Sequence, residues 1–205
     1  MVIKSVKETS YGGMLKIASE EGAAFYIRKE YLPTVQIDDI LPGAEFDGAD
    51  EDEILDAGLA SVVELKAVTY LARAEQSRFG LNRKLRAKEY EQKYIDLALD
   101  YLEMKNYLSD SRYALAWLHG RRLNHYEGRS KLKAELASRG ISREVAAAAV
   151  EEFFQEFDEM EICEKAYKKF VKRGKEGEKL AAAMMTAGFN FKQIREVEEN
   201  IKEEQ

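Results

Sequence analysis

Catalysis requires nucleophiles, bases or metal ligands gathered in one place, and this 205-residue chain offers few of them. His119 and His125 are its only histidines, and Cys163 is its only cysteine. One thiol and two imidazoles do not supply a zinc cluster of the usual spacing. No Walker-type phosphate loop and no glycine-rich dinucleotide fingerprint occurs. No Ser-His-Asp arrangement can be argued from the order of residues. The acidic stretch 43–53 lacks the alternating oxygen ligands, central glycine and closing glutamate of a calcium loop. The expectation is therefore no catalytic residue, no metal and no cofactor, in a protein that is not an enzyme.

What the sequence does gather is positive charge. One cluster holds Arg83, Lys84, Arg86 and Lys88, and a second holds Arg121, Arg122, Arg129, Lys131 and Lys133. A guanidinium fork pairs with carboxylate or phosphate at two points, which suits a protein or nucleic-acid partner. Tyr126 lies inside the second cluster and could stack on a base or on a partner side chain. Residues 1–60 carry 5 Lys and Arg against 13 Asp and Glu, residues 61–145 carry 17 against 11, and residues 146–205 carry 10 against 14. A basic middle between acidic ends suits a partner rich in phosphate or carboxylate. For any one of these residues a solvated helix face is the simpler reading. As a group, Arg83, Lys84, Arg86, Arg121, Arg122, Tyr126, Arg129, Lys131 and Lys133 are expected to bind a partner. Arg121, Arg122, Arg129 and Lys131, flanking the turn at Asn124–Glu127, are expected to face it.

These residues need helices to position them. In the stretch 111–141, Tyr113, Ala114, Trp117 and Leu118 fall on one helical face, with Trp117 expected to be mostly buried. Leu132 and Leu136 mark a second helix that stops at Gly140, and Ser142 is placed to cap a third. The plan recurs. Leu81, Leu132 and Leu180 correspond, as do Leu85, Leu136 and Met184, and Tyr90, Ile141 and Phe189. The same register continues through Ile95, Ala146 and Ile194, then Ala98, Ala149 and Val197, then Leu102, Phe153 and Ile201. The offsets are 51 and 48 residues, so each copy is a three-helix unit and three copies are expected in an elongated array. The first copy lacks the glycine found at Gly140 and Gly188, and a differently shaped corner is expected there. Ser61 and Glu64 read as a capping box opening the first helix of that copy, preceded by a short helix from about Glu51. Upstream, Val2, Ile3 and Val6, then Met14, Leu15 and Ile17, then residues 24–27 alternate with turn signals at Gly12-Gly13 and Glu20-Glu21-Gly22. They predict a small antiparallel sheet packed on a helix. The fold class is thus mainly α, with a β-containing segment at 1–58 and helical repeats at 59–108, 109–157 and 158–205.

The chain is 45% hydrophobic and 34% charged, with no proline after Pro42 and no apolar run near the length of a membrane span. It shows no secretory leader, and its lone cysteine forms no internal disulfide. A cytoplasmic monomer that does not engage a membrane is expected.

The Asp110-Ser-Arg112-Tyr113-Ala114 entry, the Gly128-Arg129-Ser-Lys-Leu132 turn and the Leu136–Ile141 ending resemble the middle repeat of the RecX family, regulators of the bacterial recombinase RecA. The run from Tyr70-Leu71-Ala72-Arg73 to Ser77, and Ala187-Gly188-Phe189, are similar to that family's first and third repeats. Gly80 departs from the pattern, which has an acidic residue there. The resemblance implies a protein that lies in the groove of the RecA–single-stranded DNA filament. From there it would modulate, with inhibition the expected sign, ATP hydrolysis, filament growth and strand exchange in DNA repair and recombination. Single-stranded DNA is a second implied partner. The residues alone leave two alternatives: a direct nucleic-acid binder acting through the basic middle, and a helical scaffold for another partner. A helix-turn-helix reading, with Arg143–Phe157 as recognition helix, fits poorly. That helix is rich in alanine and glutamate rather than in residues that read base edges.

Overall fold

The computed structural model describes residues 1–10 and 12–203. Three strands and nine α-helices occur among them. They fall into two compact units, Met1–Leu108 and Ser109–Gln205, each with its own apolar core.

The first unit opens with strands β1 (Ile3–Glu8), β2 (Met14–Ser19) and β3 (Phe25–Arg28), antiparallel in the order β1-β2-β3. Val6 pairs with Ile17 and Leu15 with Ile27. Alternation aims Ile17 and Ile27 inward beside Ile3, all fully buried in the core, while Met14 is buried on the opposite face of the sheet, beside its partner Arg28. Helix α1 (Gly48–Leu71) covers β3, and α2 (Arg78–Arg86) and α3 (Gln92–Met104) complete the unit. At Gly58 a Cβ would stand 2.8 Å from the Phe25 ring, so the close approach of α1 to β3 needs a residue without one.

Helix α1 starts well before the capping box read from the sequence. Asp47 precedes it and Asp50 and Glu51 occupy its first turn, where carboxylates suit the positive helix end. Ser61 and Glu64 are both buried in mid-helix. Glu64 holds the sheet instead. Its two oxygens accept from Arg28 Nε and Nη2, each at 2.7 Å, and Oε2 also accepts from the Tyr31 hydroxyl at 2.8 Å. The Arg28 guanidinium lies 4.2 Å from the Tyr101 ring centroid and donates through Nη1 to the Gly12 carbonyl. One desolvated ion pair thereby links β3, α1, α3 and the β1–β2 turn.

The second unit is α4 (Asp110–Arg122), α5 (Arg129–Ala137), α6 (Arg143–Glu156), α7 (Glu159–Lys172), α8 (Gly177–Thr186) and α9 (Phe191–Glu203). Ser142 caps α6 as expected, its side chain accepting from Val145 N. The six-position repeat register is visible in the packing. Sixteen of its eighteen residues are buried, and the other two, Tyr90 and Ile201, pack partly buried against the cores. The corner after α2 is not differently shaped at its pivot. Glu89 has φ 64°, in the same left-handed region as Gly140 at 80° and Gly188 at 98°. A glutamate there carries backbone strain that the two glycines avoid.

Trp117 is mostly covered, as expected, though not fully buried. Ala114 and Leu118 point into the core, and Trp117 lies at the edge of the apolar stripe. The guanidinium groups of Arg139 and Arg121 lie 4.4 and 5.3 Å from its ring centroid. Cations that snorkel over the indole cover it where an apolar neighbour would be needed for full burial.

Within this unit two glycines set how closely α5 meets the end of α8. Gly128 N donates to the Ala187 carbonyl at 2.8 Å. A Cβ on Gly128 would lie 2.5 Å from the Gly188 carbonyl oxygen, and one on Gly188 would lie 2.6 Å from Lys131 N. Backbone atoms cannot yield as a side-chain tip can.

Three outcomes follow from these contacts. Gly128→Ala must separate α5 from α8 and is expected to cost about 1–3 kcal/mol, the range for overpacking, in urea denaturation. Glu89→Gly relieves the left-handed strain and is expected to stabilise by up to about 1 kcal/mol in the same assay. Burial and the adjacent Glu64 carboxylate raise the Tyr31 pKa. A folded pKa above the unfolded value of about 10 gives stability that is complete below pH 10 and lost above it, as the unfolded chain ionises. Tyr31→Phe should therefore be less stable at pH 8, yet lose less of its remaining stability than the parent between about pH 9.5 and 11.

Candidate interaction surface

The residues singled out from the sequence divide into three groups. On α2, Arg83, Lys84 and Arg86 are exposed. Arg83 lies 5.9 Å from the Phe79 ring centroid, and Lys84 donates to Gln76 Oε1 at 2.6 Å. No carboxylate among the described residues pairs with them, so this part of the expected surface presents its charge to solvent.

The second cluster is largely consumed internally. Arg121 makes a two-point pair with Glu127 at 2.7 and 2.9 Å, and these hydrogen bonds raise its pKa. Arg129 reaches Glu159 at 2.7 Å and Glu151 at 2.6 Å. Partial burial would lower its pKa, but the two carboxylates outweigh this and raise it. Arg122 lies flat on Phe157, its carbon 3.9 Å from the ring centroid, with a buried Nε that meets no partner among the described residues. Lys131 pairs with Glu135 at 3.0 Å, which with Arg139 holds that carboxyl below its ordinary range. Lys133 is exposed. Arg121 and Arg129 leave the α4–α5 turn toward different carboxylates and do not form one patch.

Where the turn does contribute is a cleft of about 640 Å³ between it and helices α7 and α8. His125, Tyr126 and Lys131 form one wall, and Lys169, Phe170, Arg173, Lys175 and Lys179 form the other. The single carboxylate lining it, Glu127, is already paired with Arg121. Lys169 sits 5.2 Å from the Tyr126 ring centroid and donates to the Asn124 carbonyl at 3.4 Å, while Lys175 sits 5.9 Å from that of Phe170. Lys169 and Lys172 occupy the last turn of α7, where cations favour the helix dipole. Helix stability explains those two. It does not explain Lys179, which stands near the N-terminus of α8, where a cation opposes the dipole. A cleft with aromatic walls, several cations and one neutralised carboxylate is suited to phosphate groups or to an acidic protein surface.

Sequence reasoning passed over this wall. Residues 146–205 average to an acidic balance, which hides the run Lys168-Lys169, Lys172-Arg173, Lys175 and Lys179. A shorter charge window would have found it. The remaining chemistry is spare. Among the described residues no group of three or more His, Cys, Asp or Glu is placed to hold a metal ion, and no helix is long and apolar enough to cross a membrane. Burial pushes the Cys163 thiol up to about 12, far from a reactive thiolate. The exposed side of α6 carries Glu144, Glu151, Glu152 and Glu156, which opposes entry of that helix into a DNA groove.

Comparison with known proteins agrees with this architecture. Residues 65–102 match the family model described as RecX, first three-helix domain, and residues 109–150 match RecX, second three-helix domain. Regulatory protein RecX of Treponema pallidum is 33% identical over 132 residues, spanning 64% of this chain and 80% of that protein. Its counterpart in Chromohalobacter salexigens is 32% identical over 132 residues, spanning 63% and 86%. A crystal structure of regulatory protein RecX superposes with a TM-score of 0.74 at 17% identity, over 97% of this chain and 98% of that one. RecX from Lactobacillus salivarius gives 0.60 at 19% identity, over 70% and 97%. At such identities the two structures establish a shared fold. The sequence relationship, together with the two matched three-helix domains, establishes that this chain belongs to the RecX family of regulatory proteins.

Proposed function

We propose that this protein regulates the recombinase RecA by binding the RecA–single-stranded DNA filament, and that it hinders ATP hydrolysis, filament growth and strand exchange. The observation that carries the reading is the cleft of the second unit, with Lys169, Arg173, Lys175 and Lys179 facing Tyr126 and Lys131. A filament of protein wound on DNA presents phosphates and carboxylates, and these cations complement both. Exposed Arg83, Lys84 and Arg86 form a second, independent contact in this scheme. Arg121 and Arg129 hold the unit together, since their forks are occupied by Glu127, Glu151 and Glu159.

One observation favours a second reading, direct binding of single-stranded nucleic acid. Tyr126 and Phe170 line the cleft beside the cations, the pairing that stacks bases while neutralising the backbone.

The test uses inhibition of RecA ATP hydrolysis, with a melting curve for each variant. Lys169→Glu/Arg173→Glu/Lys179→Glu alters groups that no carboxylate among the described residues holds in an ion pair. It should leave melting nearly unchanged, at under about 0.5 kcal/mol per site, and raise the concentration needed for inhibition at least about tenfold. Arg121→Glu/Arg122→Glu/Lys131→Glu should instead lower the melting temperature, because it sets glutamate against Glu127 and Glu135. Undiminished inhibition by the Lys169/Arg173/Lys179 variant would overturn the assignment of the cleft. Binding of a labelled single-stranded oligonucleotide without RecA, falling steeply between low and moderate salt, would select the second reading.

A further inference from the structure

We propose that the outward face of α1 is a self-association surface on which a second copy of this chain docks antiparallel. Helix α1 buries Ile54, Ala57, Ala60, Val63 and Ala67 in the first unit. Its opposite face carries Asp52, Leu55, Leu59, Val62 and Lys66, at successive intervals of three, four, three and four residues. Leu55, Leu59 and Val62 are 44%, 47% and 43% exposed. A lone exposed leucine is ordinary on a protein surface. Three in succession along one stripe, at the spacing of a coiled-coil seam, make a continuous apolar strip.

The two ends of the strip choose the occupant and its direction. Asp52 lies at the N-terminal end and Lys66 at the C-terminal end. Each suits its own helix dipole, so the charges alone need no partner, but the apolar centre between them has no such explanation. A parallel pair of copies would set Asp52 against Asp52 and Lys66 against Lys66. An antiparallel pair, with its twofold axis between Leu59 and Val62, lays Leu59 of one copy against Val62 of the other. It also brings each Asp52 within a turn of the other copy's Lys66. Leu55 falls level with the other copy's Lys66, whose methylene stem can cover it, so the face is complementary to itself at its apolar centre and in the sign of its ends.

The contact is weak by its dimensions. From Asp52 to Lys66 the seam runs about 21 Å at 1.5 Å per residue, so the buried area falls below the roughly 1,200 Å² of stable complexes. The acidic balance of residues 1–60, 5 Lys and Arg against 13 Asp and Glu, also opposes approach. Association in the range of about 10–100 μM is consistent with both, and it departs from the monomer expected of the sequence.

Sedimentation velocity on the full chain, from about 1 to about 300 μM, tests the proposal. The parent protein should shift from monomer to dimer across that range. Leu59→Lys should remain monomeric at every concentration with an unchanged melting curve. If that variant melts early, Val62→Lys in the same seam provides the reading. Lys66→Asp should weaken the dimer at least about tenfold, and Asp52→Lys/Lys66→Asp should restore it to within about threefold. A parent protein that stays monomeric throughout overturns the proposal and leaves the strip to a different occupant. A double variant no tighter than Lys66→Asp alone overturns the antiparallel arrangement.

Discussion

A bundle of three short helices cannot bury its own apolar face, and this constraint governs both units. Each helix presents one stripe, and roughly fifty residues enclose too little volume to hide all three. The chain meets the deficit in two ways. In the first unit the three-stranded sheet covers the helices, and β3 is joined to α1 through Arg28 and Glu64. In the second unit two copies cover each other, with Cys163, Leu180 and Met184 sharing a core with Leu118, Leu132 and Phe153.

The two solutions differ in kind. Arg28 and Glu64 are a buried ion pair, whose value lies less in net stability than in what its loss would leave behind. Every strong acceptor on the carboxylate is used by Arg28 or Tyr31, so either charge without the other would be stranded in a dry site. The glycine contact at Gly128 and Gly188 carries no charge at all. It works by removing atoms, allowing one backbone to donate directly to another across the junction of α5 and α8. That junction also aligns the α4–α5 turn with α7 and α8, so the packing that closes the core forms the walls of the positive cleft.

Charge within the second unit is spent on two tasks. Arg121, Arg129 and Lys131 bind neighbouring carboxylates, and Arg121 and Arg139 shelter Trp117. Lys179 and Arg173 meet no carboxylate among the described residues and sit exposed, lining the cleft. A cation placed against the dipole of its own helix is a cost to stability, and such costs concentrate where a protein meets its ligand.

The sequence alone determined the helical repeats and the N-terminal sheet, because these are written in local periodicity; the family was legible only as a resemblance of particular motifs such as Gly128-Arg129-Ser-Lys-Leu132. Leucines recur at fixed offsets, glycines mark the corners at Gly140 and Gly188, and alternation marks the strands. Where local signals compete, it misled. Ser61 and Glu64 have the spacing of a capping box, yet a helix already under way from Gly48 carries them inward, and Arg28, 36 residues away from Glu64, claims the carboxylate. Likewise Arg121, Arg129 and Lys131 look free in one dimension, since the carboxylates that neutralise them are brought close only by folding. Lys169, Arg173, Lys175 and Lys179 looked unremarkable within an acidic third of the chain. Only the tertiary structure decided which cations are occupied and which face open space, because pairing depends on distances between side chains that the order of residues does not contain.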